Sequence, residues 1–296
     1  MEMHHQAILA LVKAALAEDI GRGDLTSLGC LEPNPIKAEI VAKSNGVLSG
    51  VQPAMLAFGI VDSANSVDFL KKAGERFVKG DTIVRIDGFN QTVLSSERVA
   101  LNFLGHLSGI ATYTAAFVER VRGTRARILD TRKTTPGWRC LEKMAVVHGG
   151  GVNHRFGLYD MMLIKDNHIA SAGSITKAVK QAREYLGTVD FRLQFETEAE
   201  KIQIEVEVTS EKELTEAIAA GVNRLLLDNQ TVDSLAKMVA LARKLNASVE
   251  LEASGNVTLD TVAAVAGTGV DFISVGALTH SAPSSDFSLK VTDQPA

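Results

Sequence analysis

The chain has little to hold it together except an aliphatic core. Its 296 residues include two cysteines, Cys30 and Cys140, with neither Cys-x-x-Cys nor metal-ligand spacing. That excludes a disulfide framework or a zinc ribbon and fits a reducing, cytoplasmic setting. Aromatic residues make up 5% of the sequence, with one tryptophan, whereas hydrophobic residues as a whole reach 46%. A chain of this length buries enough apolar surface to fold without a cross-link or a structural metal. No apolar run reaches the roughly 18 residues of a membrane span, so none is expected. Positive charge is scarce too: 31 Lys and Arg stand against 35 Asp and Glu, a formal net charge of −4. Such a balance argues against general nucleic-acid binding but leaves room for a local basic site. The N-terminus, MEMHHQAILALVKAALAEDI, lacks a signal-peptide pattern. Ile8, Leu11, Val12 and Leu16 recur at helical spacing and predict an amphipathic helix.

What is present falls into two rhythms. In residues 1–110, β-type runs at 38–43, 46–50 and 81–86 are punctuated by Gly46, Gly50, Gly74 and Gly80, which reads as a small α/β domain. A hairpin is expected around Lys79-Gly80-Asp81. A long helix is expected over 95–121, with Ser95 and Ser96 as candidate N-caps and its glycines marking a kink or close packing. Over 111–277 the pattern becomes a βα repeat. Strand-like runs lie at 126–130, 161–166, 202–208, 224–229, 249–254 and 272–277, with helical patterns between the later ones. Glu207, Asp228, Glu252 and Ser274 close successive strands at spacings of 21, 24 and 22 residues. That is the length of a short strand, a helix and two turns, and it predicts a parallel sheet. Six strands are fewer than the eight of a closed (β/α) barrel, so an open barrel is as compatible as a closed one. A seventh strand is expected near 145–157 or 190–196.

The strand ends carry the chemistry. In such folds the C-terminal ends of the strands form the site. Here they bring Asp130-Thr131-Arg132-Lys133, Lys165-Asp166-Asn167-His168, Glu205 and Glu207, Asp228-Asn229, Glu252-Ala253-Ser254-Gly255, and Ser274 with Gly276 into one register. Strand alternation turns Gln203, Glu205 and Glu207 toward the interior, and likewise Glu250 and Glu252. Interior carboxylates need cations, water or a metal, and Arg132, Lys133, Arg155 and Lys165 offer the cations. Glu205, Glu250 and Glu252 read equally well as buried partners of Lys or Arg with no catalytic role. His154 follows the run Gly149-Gly150-Gly151, which suits close approach of backbone to a ligand. SVGALTHS (274–281) sets backbone amides after a strand, a weak phosphate-cradle signal. Arginine forks suit carboxylate and phosphate. Glu207 and Asp228 suit Mg²⁺ shared with substrate phosphates. The sum points to a substrate bearing several negative charges.

Eight stretches in order, EDIGRGDLTS, SERVALNFLGHLSGIAT, DTRKTTPGWR, GGGVNHRFGLYDMMLIKDNH, IEVEV, LLLDN, LEASGNV and SVGALTHS, resemble the quinolinate phosphoribosyltransferases. The resemblance spans about 18–290. It implies an N-terminal α/β sandwich domain, to which the C-terminal segment 278–296 returns, and an open α/β barrel of about seven strands. It implies transfer of phosphoribosyl from phosphoribosyl pyrophosphate to quinolinate, releasing pyrophosphate and CO₂ and giving nicotinate mononucleotide for NAD biosynthesis, with Mg²⁺. It implies a homodimer with shared active sites, able to assemble further. By motif, Thr131, Arg132, His154, Arg155 and Lys165 would meet quinolinate, with Arg98 reaching in from the neighbouring subunit. Lys133, Glu207 and Asp228 would serve the diphosphate side, the two acids partly through Mg²⁺. Ser254, Gly255, Gly276 and His280 would receive the 5′-phosphate. The stretch 191–201 is longer before its strand than the family leads one to expect.

Three rivals bear weighing. A molybdenum-operon paralogue would share the fold, but the intact KTTPG and KDNH motifs favour the quinolinate enzyme. A Schiff-base aldolase would use Lys165 at its strand end. A non-catalytic binder of anionic metabolites would not need so many ionisable groups at one barrel mouth.

Overall fold

The computed structural model describes residues 2–195 and 197–293. Met1, Glu196 and residues 294–296, which fall in the expected first domain, the 191–201 stretch and the C-terminal segment, lie outside the described residues. The strands are β1 (Pro35–Ala42), β2 (Gly46–Val47), β3 (Ser66–Phe69), β4 (Arg76–Phe77), β5 (Thr82–Phe89), β6 (Arg127–Leu129), β7 (Met162–Ile164), β8 (Ile204–Val208), β9 (Arg224–Asp228), β10 (Glu250–Ser254), β11 (Phe272–Ser274) and β12 (Phe287–Asp293). The chain divides into two units, one of residues 1–115, 133–151 and 277–296 and the other of 116–132 and 152–276.

The first unit holds an antiparallel sheet in the order β12-β1-β5-β3. Strand β1 alternates strictly: Ile36, Ala38, Ile40 and Ala42 are buried while the residues between them are not. Period-2 patterning of this kind needs one covered face. Each large aliphatic side chain so buried contributes about 1.5–3 kcal/mol relative to exposure. The C-terminal strand β12 pairs antiparallel with β1, Ala42 opposite Phe287. The N-terminal helix Glu2–Ile20 buries Ile8, Val12 and Leu16, as its spacing predicts. Asp24 then caps the helix Leu25–Cys30 by accepting from the amides of Thr26 and Ser27.

Three local expectations for this unit are corrected. Strands β4 and β5 do not form a hairpin around Gly80; β4 pairs with β2, and β5 pairs with β1 and β3. Gly80, at φ +99°, turns the chain between two different sheets. The long helix is Asn90–Arg120, so Ser95 and Ser96 lie inside it. Ser96 donates back to the Thr92 carbonyl and Ser95 donates to Asp24. The helix glycines serve close packing: a Cβ on Gly105 would lie 2.9 Å from the Ser285 carbonyl oxygen, and one on Gly109 would collide with that of Pro283.

The second unit is built on a parallel sheet in the order β6-β11-β10-β9-β8-β7. Its helices follow the strands as the βα rhythm predicts, at Ile175–Leu186, Glu211–Ala219, Val232–Leu245 and Val262–Gly267. The seventh position is one residue long: Val152 bridges Leu129 in parallel beyond β6. Among the described residues β7 pairs only with β8, so the barrel is open. The other proposed seventh strand, 190–196, is instead a helix over Val189–Phe195, where Phe191 stacks on Phe195 at 5.2 Å. No helix among the described residues is long and apolar enough to cross a membrane.

Candidate active site

Parallel strands end on the same side of a sheet, and the register fixes which ends meet. Ser254 stands opposite Asp228 on neighbouring strands, and Glu207 stands opposite Leu226 one pleat lower. Glu207 and Asp228 therefore share a face of adjacent strands, both half-buried. Beyond β9 the chain turns through Asn229 at φ +51°, and beyond β10 through Gly255 at φ +106°. A Cβ on Gly255 would collide with Asn229. Glycine is required there on both counts, positive φ and close approach. These turns keep Ser254, Asp228 and Asn229 together at the mouth.

Cations surround the same mouth. Arg155 is drawn below the usual arginine range, first by its burial and next by the neighbouring charge of Arg132, while Glu205 and Asp160 act the other way. Its Nη1 donates to the Met161 carbonyl at 3.2 Å. Two guanidinium groups close enough to oppose each other are at their most stable with an anion between them. Lys165 ends β7 and caps the helix Asp166–Ala172; its Nζ lies 3.4 Å from Glu207 Oε2. It is half-exposed and ion-paired, without the apolar surroundings that an iminium-forming lysine requires. His168 accepts from the Lys165 amide through Nδ1 and so serves the helix start.

Below the mouth lies a buried charged layer. His154 Nδ1 accepts from the Arg155 amide at 2.7 Å, and its Nε2 points at Glu205 Oε2 (3.1 Å) and Glu252 Oε2 (3.5 Å). With Nδ1 accepting, the proton sits on Nε2, which donates to Glu205. The His154 amide is held by the buried Asp130 carboxylate at 2.9 Å. Ser274 donates to the other oxygen of Glu252. Glu205 and Glu252 are 0% and 1% exposed. Burial pushes Glu205 up to about 7, with Arg224 the first opposing influence. Burial and then the charge of Glu205 push Glu252 up to about 8, which His154, Ser274 and Arg224 moderate.

The cation that answers these acids is one the sequence reading did not select. Arg224, the first residue of β9, donates to Glu250 at 2.8 Å and to Glu252 at 3.4 Å and lies 4.2 Å above the Phe272 ring. The signal was available: Arg224 shares strand parity with Leu226 and Asp228 and therefore faces inward with them. The ligand atoms of His154, Glu205 and Glu252 lie within 4.8 Å of one another, a metal-like grouping. Ser274 and Arg224 engage Glu252 and His154 engages Glu205 Oε2, whereas the buried Glu205 Oε1 has no hydrogen-bond partner. Glu207 and Asp228, at the open end, are hard oxygen donors on a shared face, as a water-rich Mg²⁺ site requires.

The first unit carries the remaining candidates. Lys133 is exposed, and its carbonyl accepts from Thr279 Oγ1 at 2.7 Å. His280 ends the short helix Ala277–His280, its Nδ1 2.7 Å from Ser281 Oγ. Arg98 is exposed on the long helix and, with Asn102, His106, Thr135 and Trp138, lines a cavity of about 520 Å³. The glycine run has a packing explanation: a Cβ on Gly149 would collide with the Ala111 carbonyl, and one on Gly151 would sit 2.7 Å from Val146. Thr131, Arg132 and Gly276 lie at the ends of the second unit's segments.

The comparisons agree with this geometry. The profile described as quinolinate phosphoribosyl transferase, N-terminal domain, matches residues 24–108, and the C-terminal domain profile matches 110–290. A probable nicotinate-nucleotide pyrophosphorylase (carboxylating) of Bacillus subtilis is 43% identical over 290 residues, covering 98% of this chain and 95% of that protein. A chloroplastic nicotinate-nucleotide pyrophosphorylase (carboxylating) of Arabidopsis thaliana is 39% identical, covering 97% and 83%. The solved nicotinate-nucleotide pyrophosphorylase of Francisella tularensis superposes with a TM-score of 0.89 at 38% identity, covering 97% of each chain. Human nicotinic acid phosphoribosyltransferase, at 13% identity and a TM-score of 0.60, shares the fold alone. With both domain profiles matched end to end and relatives this similar over their full length, the chain belongs to the quinolinate phosphoribosyltransferase family.

Proposed function

We propose that the chain transfers phosphoribosyl from phosphoribosyl pyrophosphate to quinolinate and releases pyrophosphate and CO₂, giving nicotinate mononucleotide. The observation that carries the choice of a dicarboxylate is the Arg132–Arg155 pair, whose charges oppose each other in the unit that also carries Lys165 at the end of β7. One carboxylate would leave part of that charge uncompensated; two adjacent carboxylates match it. His154 serves this pocket from below, holding the Arg155 amide while its ring is anchored on Glu205. Thr131 lines the same pocket.

The chemistry follows from what these groups do. Arg132, Arg155 and Lys165 orient the pyridine so that its nitrogen meets C1 of the ribose as the pyrophosphate leaves. Lys133 neutralises charge that develops on the departing oxygens. Glu207 and Asp228 supply negative charge next to the ribose while C1 becomes cationic. The ring nitrogen of the adduct is positive, so its charge stabilises the electron pair left on the adjacent ring carbon as the C–CO₂ bond breaks; CO₂ departs and a proton from solvent takes its place on that carbon. Mg²⁺, held by Glu207 and Asp228 with water and substrate oxygens, would supply Lewis-acid neutralisation of the diphosphate. Ser254, Gly255, Gly276 and His280 would receive the 5′-phosphate through short side chains and backbone amides. We further propose a homodimer in which Arg98 completes the neighbour's quinolinate pocket. The free Cys30 and Cys140 fit a reducing cytoplasm.

The deciding assay is nicotinate mononucleotide formation from quinolinate and phosphoribosyl pyrophosphate, with nicotinate as the control. Quinolinate is expected to react and nicotinate to react at least about a hundredfold more slowly, because losing the 2-carboxylate leaves a half-buried cation without its counter-charge at a cost of ~3 kcal/mol. Comparable turnover of nicotinate rejects the dicarboxylate reading.

A further inference from the structure

One buried charged group outside the barrel mouth has no part in the mechanism above, yet it touches the cationic loop. Glu142, in the helix Arg139–His148, is 0% exposed. Its Oε1 lies 3.0 Å from His106 Nε2, and its Oε2 accepts from the Thr135 amide at 3.1 Å. A carboxylate withdrawn from water needs both oxygens answered by donors, and charge strengthens each of those bonds. Residues 131–138 form no helix or strand, so no ladder fixes their backbone. Side chains hold it instead, at three successive residues, two through their backbone and one through its side chain. Thr279 Oγ1 holds the Lys133 carbonyl, Arg139 Nε donates to Thr134 Oγ1 at 3.0 Å, and Glu142 takes the Thr135 amide. The far end of the loop is held by rings. Trp138 stacks on Phe103 at 4.8 Å and meets the His106 ring edge-on at 5.3 Å. Phe103 and His106 come from the same long helix, three residues apart and so on one face of it. His106 is thus the shared element: it supplies Glu142 with its donor and Trp138 with its wall.

We propose that His106 and Glu142 are positioning residues that clamp the loop carrying Lys133, so that its ammonium stands ordered before the diphosphate arrives. The choice of diphosphate as the ligand rests on the function proposed above; the clamp does not. A lysine on an unclamped loop would still bind the diphosphate, but the loop would have to order at that moment. Both ground-state binding and the rate of pyrophosphate departure would suffer. The quinolinate side would suffer less, because Arg155 and Lys165 lie outside this loop and Arg132 stands at its start, before the three held residues.

The single tryptophan of the chain makes the clamp directly observable. Three variants separate hydrogen bonding from bulk. His106→Leu removes the donor, Glu142→Gln removes the charge, and His106→Gln keeps a donor within reach of Glu142. Acrylamide quenching of Trp138 fluorescence is read without any substrate, with melting temperature as the control for folding. KM for phosphoribosyl pyrophosphate, kcat, and the Kd of quinolinate by calorimetry are then measured. His106→Leu and Glu142→Gln are expected to raise the quenching constant about twofold. They should raise KM for phosphoribosyl pyrophosphate and lower kcat by about tenfold each, with the quinolinate Kd within about threefold of the starting protein. His106→Gln is expected to restore quenching and kinetics most of the way. If His106→Leu does not fold, Glu142→Gln alone carries the test. Unchanged quenching in Glu142→Gln, or equal impairment of His106→Gln and His106→Leu, overturns the clamp. A protein that makes no nicotinate mononucleotide at all rejects the proposed function, while the quenching series still decides the clamp.

Discussion

Neutralising Glu252 should change how stability depends on pH, and the structure gives both sign and size. Glu252 is 1% exposed, with one oxygen on Ser274 and the other facing Arg224 Nη1 at 3.4 Å and His154 Nε2 at 3.5 Å. Its pKa is pushed up from 4.5 to about 8, first by burial and next by Glu205. An acid whose folded pKa is raised keeps its proton in the folded state after losing it in the unfolded one. Between pH 4.5 and about 8 the folded protein therefore binds more protons, and stability falls as pH rises through that window. The loss is complete above about pH 8 and absent below about 4.5. At ~1.4 kcal/mol per pKa unit, a rise from 4.5 to about 8 corresponds to a decline on the order of 5 kcal/mol.

Glu252→Gln keeps the shape and the Ser274 contact but cannot titrate. Its amide donor will face Arg224 and His154, which adds a cost that does not depend on pH. The slope is therefore the observable. Urea unfolding of both proteins at half-unit steps from pH 5 to 8.5 gives the stability difference at each pH. The variant should gain on the parent by about 4 kcal/mol across the series, most of it between pH 5 and 8. A difference constant to within about 0.5 kcal/mol, the usual scatter of such comparisons, would show that the buried layer carries its charges without penalty and would refute the reasoning.

Other changes probe the mouth itself. Arg155→Ala should raise KM for quinolinate about a hundredfold, ~3 kcal/mol, without a comparable change for phosphoribosyl pyrophosphate; equal effects on both substrates would remove it from the dicarboxylate pocket. Glu207→Gln and Asp228→Asn should each cut kcat about a hundredfold or more, roughly 3 kcal/mol of barrier, and flatten the Mg²⁺ titration of activity while the melting temperature holds. Parent-like rates with an unchanged Mg²⁺ titration reject these two as the metal-linked acids. Arg98→Ala and Lys133→Ala, each nearly inactive alone, should regain roughly a quarter of parent activity when refolded together, because half of randomly paired dimers are mixed and each mixed dimer holds one intact site. No recovery, with mixed dimers seen by mass spectrometry, rejects a shared site.

How legible all this was in the sequence depended on whether the signal was local. The βα rhythm was legible because strand, helix and turn each leave their own period, and the spacing of Glu207, Asp228, Glu252 and Ser274 placed four strands correctly. The antiparallel unit was harder. β4 is two residues long and its partner β2 lies far back in the chain, so the turn at Gly80 looked like a hairpin between neighbours. Ser95 and Ser96 looked like caps because polar residues before an apolar run usually are. The helix in fact begins at Asn90, and the two serines spend their hydroxyls on Thr92 and Asp24. Of the glycines before His154, read as a ligand approach, Gly149 and Gly151 pack closely against helix residues Ala111, Thr114 and Val146.

The site residues divide along the same line. Motif and strand-end position singled out Arg132, Arg155, Lys165, Glu207 and Asp228 as candidates because each lies in a stretch with its own local pattern. Arg224 and Glu142 carried no such mark. Each depends on a partner more than twenty residues away: Glu250 and Glu252 for Arg224, and His106 for Glu142. A buried charge is defined by what faces it, and facing is set by register and helix packing rather than by neighbours in sequence. Parity along β9 did point Arg224 inward, so half of that argument was available from the strand alone. For Glu142, helical spacing places it within its own helix, while its role depends on a loop whose path no periodicity fixes. The residues proposed for the chemistry were therefore readable before the residues proposed to hold them in place.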